Sequence, residues 1–102
     1  MLLALSIENS QIFIGVFTGD KLLFNAQLAT NRDQTEDEYA ILLQGVLGMH
    51  QVNRKAFGGA IVASVVRPLT AVISRAVEKL TGIVPLQLGP GIKTGLNIRT
   101  DI

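Results

Sequence analysis

Five polar side chains, Ser6, Glu8, Asn9, Ser10 and Gln11, fall within one short stretch between two apolar runs. A tight turn between paired strands presents backbone N–H groups to one side, and such a concavity accepts an anion such as phosphate. Asn9, Ser10 and Gln11 add side-chain donors, although polar residues suit any hairpin turn. Glu8 is the one carboxylate of the group. Strand residues two apart share a face, so Glu8 can stand on the side that Ser6 faces. Of the two, only the carboxylate is a good magnesium ligand, because a serine hydroxyl is neutral and binds much more weakly. Two readings of Glu8 follow. It supplies a carboxylate for a phosphate-bound magnesium ion, or it opposes a phosphate about 4 Å away by roughly 4 kcal/mol at an effective dielectric near 20. The second reading is the expectation, which makes this a degenerate anion site.

The other candidates have simpler explanations. Glu36, Asp37 and Glu38 look like an acidic metal site, but they open a helix, where negative charge is favourable. His50 is the sole histidine and sits near a helix end without partner residues. Gly89-Pro90-Gly91-Ile92-Lys93-Thr94-Gly95 invites comparison with a phosphate-binding loop. That motif requires Gly-Lys-Ser/Thr opening a helix. Here Lys93 follows Ile92 and a strand-like Leu96-Asn97-Ile98 comes next, so the glycines serve a tight backbone path. With no cysteine, thiolate chemistry and Cys-based metal sites are excluded. No residue is assigned as a metal ligand and none as catalytic.

Seven elements must position these residues. Leu2–Ile7 and Ile12–Phe17 read as strands joined by the polar turn, and Lys21–Ala29 follows a Gly19-Asp20 turn as a third strand. Thr35 and Glu38 form a capping box, with Tyr39, Leu42, Leu43, Val46 and Leu47 along one helical face to about His50. Ala60–Val66 is almost continuously apolar, as a parallel strand covered on both faces would be. Pro68 suits the first turn of a second helix, whose spacing (Leu69, Val72, Ile73, Ala76, Val77, Leu80) runs to Gly82. Pro85–Leu88 is a short fifth strand. The order β-β-β-α-β-α-β gives an α/β fold: a mixed five-stranded sheet with flanking helices, which is a ribonuclease H-like lobe.

Composition limits the partners. The 102 residues form one domain, 48% hydrophobic and only 17% charged, against about a quarter charged in an ordinary soluble chain. Scarce charge predicts apolar surface that meets a partner. A net charge of +1 gives no field for nucleic acid or an anionic membrane, and Asn53-Arg54-Lys55 reads as a solvated loop. No stretch approaches the roughly twenty apolar residues of a membrane helix. The first residues lack a basic lead and are interrupted by Ser6 and Glu8, unlike a signal peptide. A cytoplasmic setting is expected.

Three stretches carry a family resemblance over the whole chain. Residues 28–39 (Leu-Ala-Thr-Asn-Arg-Asp-Gln-Thr-Glu-Asp-Glu-Tyr), 64–70 (Ser-Val-Val-Arg-Pro-Leu-Thr) and 89–98 (Gly-Pro-Gly-Ile-Lys-Thr-Gly-Leu-Asn-Ile) resemble, in order, segments of the type III pantothenate kinases. The likeness implies the sugar kinase/Hsp70/actin type of lobe, with ATP and magnesium as cofactors and pantothenate as phosphoryl acceptor. It implies a nucleotide-phosphate site at Ser6, Glu8, Asn9, Ser10 and Gln11, and a substrate-side loop at Gly91, Lys93, Thr94 and Gly95. The family's turn reads Asp-x-Gly-Asn-Thr. Ser6 stands at its aspartate, Glu8 at its glycine, and Thr100 at a tyrosine that borders the pantothenate site.

The family's Gly-Ala-Asp-Arg segment would begin after Ile102, and its second lobe is expected to be absent. The expectation is therefore an N-terminal lobe, inactive alone, acting as a pseudo-kinase or accessory subunit. It would pair as a homodimer or with a kinase chain. Half of a split or truncated kinase, and a nucleotide- or phosphate-binding module, are the alternatives.

Overall fold

A computed structural model describes residues 1–89. Its elements are β1 (Leu2–Ile7), β2 (Gln11–Thr18), β3 (Lys21–Ala29), α1 (Glu36–Met49), β4 (Gly59–Ser64), α2 (Arg67–Thr81) and β5 (Leu86–Leu88). The element order is the one read from the sequence. The sheet runs β3-β2-β1-β4-β5, antiparallel through the first three strands and parallel from β1 to β4 and from β4 to β5. The two parallel steps are what the two helical crossovers require.

Alternation divides the sheet into two faces. Leu3, Leu5 and Ile7 of β1 line up with Ile12, Ile14 and Val16 of β2 and with Ala60 and Val62 of β4. These form one buried core with Tyr39, Leu43 and Leu47 of α1 and Leu69, Ile73, Ala76, Val77 and Leu80 of α2. The opposite face carries a smaller cluster. Ala4 and Phe17 are buried there, with Leu2, Phe13 and Leu22 packed around them.

Three features differ from expectation. β4 stops at Ser64, and Val66 instead caps α2, because the Ser64 hydroxyl bonds both the N–H and the C=O of Val66 at 3.0 Å. β4 is not covered on both faces: Ala60, Val62 and Ser64 are buried, whereas Gly59, Ile61 and Ala63 are half-buried. Both described helices pack on the face that carries Ala60 and Val62. Leu42, assigned to the buried helical face, is exposed at that face's rim.

Pairing in β3 also slips. Val16 opposes Phe24 but Phe17 opposes Leu22, so Leu23 is an extra residue that bulges outward, 46% exposed.

Helix ends are closed as the sequence requires. Thr35 and Glu38 make the capping box, with Thr35 N–H donating to Glu38 Oε1 at 2.9 Å and Glu38 N–H to Thr35 Oγ1 at 3.2 Å. Arg54 is no free loop cation: its Nη1 donates to the Leu80 carbonyl in the last turn of α2 at 2.9 Å. Glu36 and Asp37 do more than suit a helix start. Arg75 Nε lies 3.0 Å from Glu36 Oε1, and Lys79 Nζ reaches both Glu36 (3.2 Å) and Asp37, lacing α1 to α2.

Lys79 and then Arg75, donating hydrogen bonds, hold the Glu36 carboxyl below its ordinary value of 4.5. Asp37, then Glu36, raises Lys79 above its ordinary 10.5. A lowered carboxylate adds stability that is present above 4.5 and lost as pH falls through the folded value. A raised ammonium adds stability present below 10.5 and lost as pH rises past it. Glu36→Gln should therefore flatten the loss of stability as pH falls below 4.5, and salt of about 0.5 M should shrink the difference. Denaturation midpoints across pH measure both.

Gly82 closes α2 with φ +79°, and an added Cβ would meet only Lys55 Nζ at an ordinary 3.6 Å. Gly82→Ala should cost about 1 kcal/mol in urea unfolding, from backbone strain alone.

Candidate functional site

The site is built where two parallel strands end together. β1 and β4 run side by side to Ile7 and Ser64, and Val65 N–H donates to the Ile7 carbonyl at 3.0 Å. In open α/β sheets, ligands bind outside the carboxyl ends of such strands. The β1–β2 turn sits on this edge. It is closed by Glu8 N–H donating to the Gln11 carbonyl at 2.9 Å. Glu8, Asn9, Ser10, Gln11 and Phe13, with Val65 opposite, line an open cleft of about 480 Å³. The sequence-predicted turn residues are thus brought together, with Ser6 just behind them.

Ser6 decides how Glu8 is read. Its Oγ lies 3.4 Å from Glu8 Oε2, a long hydrogen bond but a clear placement. The glutamate chain folds back along the strand end, so its carboxylate stands beside Ser6 while the residue also walls the cleft. Among the described residues, no three His, Cys, Asp or Glu side chains are grouped as a metal cage would need. One carboxylate and one hydroxyl nevertheless fit magnesium, which keeps several waters and takes the rest of its shell from phosphate.

A segment without an assigned role in the sequence holds the turn in place. Thr30, directly after β3, donates its N–H to the Ser10 carbonyl at 3.0 Å and its Oγ1 to the Glu8 carbonyl at 2.7 Å. Arg32 Nη2 donates to Asn9 Oδ1 at 3.3 Å. The hairpin register foretells this: Gln11 opposes Ala29, so the next residues of β3 must arrive over the turn. Val65 and Phe13 are also additions, since two residues read only as members of strands prove to be cleft walls.

Gly91, Lys93, Thr94 and Gly95 lie outside the described residues. The strand that leads to them ends in a second recess of about 280 Å³, lined by Ser64, Arg67, Thr70, Gln87, Leu88 and Gly89. His50 plays no part in either recess. Its ring stacks on Phe24 at 3.8 Å, which explains its position by packing. No described helix is long and apolar enough to cross a membrane.

The fold and the cleft at its strand ends define a class. The chain superposes on the ROK hexokinase of Thermus thermophilus with a TM-score of 0.62 at 18% identity, over 86% of this chain and 33% of that one. A candidate N-acetylglucosamine kinase from Porphyromonas gingivalis gives 0.65 at 12% identity, over 87% and 34%. This is the ribonuclease H-like lobe of the sugar-kinase fold. Sequence then narrows the class. The family model for type III pantothenate kinase matches residues 2–102, and the chain belongs to that family. It is 41% identical over 101 residues to the type III pantothenate kinase of Brevibacillus brevis, spanning 99% of this chain but 40% of that protein's length.

Thr30→Val keeps the branched shape and the backbone bond but removes the hydroxyl's bond to Glu8. It should cost about 1 kcal/mol and speed amide exchange in the turn, read by hydrogen-exchange NMR, while exchange in β1 stays slow.

Proposed function

We propose that this chain forms the nucleotide-phosphate lobe of a pantothenate kinase and does not transfer a phosphoryl group by itself. The phosphate chain of ATP would lie in the β1–β2 cleft against the turn's N–H groups and the donors of Asn9, Ser10 and Gln11. The observation that carries this is the Glu8 carboxylate, which stands beside Ser6 where the family resemblance expects an aspartate. Glu8 and Ser6 would hold magnesium, whose charge offsets that of the phosphates.

Catalytic silence has its own support. Phosphoryl transfer needs a base or an orienting group for the acceptor hydroxyl. The described cleft offers one carboxylate, already committed beside Ser6, and no imidazole. The lobe would act as an accessory subunit, paired with itself or with a kinase chain that supplies the acceptor side. The half-buried Leu2, Phe13 and Ile61, with Leu86 60% exposed, fit a sheet face that meets another surface.

Calorimetric titration with ATP and magnesium tests the reading. The wild-type chain should bind, and Glu8→Gln should weaken binding about tenfold when magnesium is present. EDTA should abolish the difference between the two. Tighter binding by Glu8→Gln in magnesium would show that Glu8 only repels phosphate, which restores the degenerate reading. Phosphorylation of pantothenate by the purified chain would overturn the claim of silence.

A further inference from the structure

The residues after β3 cross the turn before the chain enters α1, and they are fixed from below. The Tyr39 hydroxyl donates to the Asn31 carbonyl at 2.7 Å and accepts from the Asn31 N–H at 3.0 Å. The Tyr39 ring is 1% exposed, locked in the main core. Both backbone groups of Asn31 are therefore tied to a side chain that cannot swing. Asn31 Oδ1 also accepts from the Asp33 N–H at 3.0 Å, which closes the segment on its far side. Arg32 sits between these fixed points, exposed, with its guanidinium reaching back to Asn9.

That contact settles the polarity of Asn9. A carboxamide has an acceptor end and a donor end, and a guanidinium can only donate. Whatever part of Asn9 faces Arg32 must be the oxygen, as observed at 3.3 Å. The Nδ2 donors are then what Asn9 has to offer the cleft it lines. The reverse orientation would set N–H groups against the guanidinium and an oxygen against phosphate, both unfavourable.

We propose that Arg32 is a positioning residue, held on a segment anchored by Tyr39, that fixes the Asn9 amide with its donor end toward phosphate. The inference rests on the phosphate reading of the turn and deepens it. It makes the cleft selective for an anion despite the carboxylate of Glu8.

The test is a double-mutant cycle read by titration with ATP and magnesium. Arg32→Ala and Asn9→Ala should each weaken binding about fivefold, and the double variant should be no weaker than Asn9→Ala alone. Magnesium tripolyphosphate should show the same pattern, because the nucleoside is not involved. Additive losses would mean that Arg32 acts only as a separate charge, and would overturn the proposal. The Asn9 side-chain NH2 resonances, followed by NMR without ligand, give a second readout. They should move in Arg32→Ala and in Tyr39→Phe, which keeps the buried ring, while core amides stay in place. Unmoved Asn9 signals overturn the proposal whether or not ATP binds. Moved signals with no ATP binding by the wild-type chain would count against the phosphate reading alone.

Discussion

The central position of β1 is the constraint on which the rest of the structure depends. Among the described strands it is the only one flanked by an antiparallel neighbour on one side and a parallel one on the other. Leu3, Leu5 and Ile7 are buried under the helices and Ala4 on the opposite face, so the strand cannot slip by one residue without exchanging those two sets. Its end point is thereby fixed, and so is the direction in which Ser6 and Glu8 leave it. The parallel partner then brings Val65 to the same edge, and a cleft exists because two strand ends coincide.

The polar architecture is layered on that apolar frame in one direction. Tyr39 is set by the core, Asn31 by Tyr39, and the turn by Thr30 and Arg32. Each step exchanges a weakly constrained group for one already held, which is how a surface turn becomes rigid enough to present donors in a fixed pattern. Under the phosphate reading proposed for this turn, donors placed beforehand need no reorganisation when the anion arrives. Ser64 does comparable work on the other side of the cleft. By bonding both backbone groups of Val66 it turns the chain sharply from β4 into α2 and keeps Val65 at the wall.

Much of this was legible in the residues. The alternation of β1 and β2, the Thr35–Glu38 box and the αL stop at Gly82 are local, and local rules read them correctly. What escaped was set by distance in the chain. The apolar run Ala60–Val66 cannot say where a strand gives way to a helix, because a serine two residues before the cap makes that decision. Arg54 looked like a loop cation until the end of α2 was brought to it. The lacing of Glu36 and Asp37 by Arg75 and Lys79 spans about forty positions, beyond any periodicity. At the site, the polar residues were evident, but the direction of Glu8 and the role of Thr30 and Arg32 depended on the hairpin register.

The bulge at Leu23 bears on how the molecule meets its own copies. β3 is the sheet's long outer strand, and its outward N–H and C=O groups form a template on which another strand can add. An extra residue part-way along breaks the spacing of that template and twists the ribbon, so an incoming strand finds no continuous ladder. β5, at the other margin, is three residues long and offers little more. Edge-to-edge growth into fibrous aggregates is thus frustrated at both margins of the described sheet, even though nearly half the residues of this chain are hydrophobic.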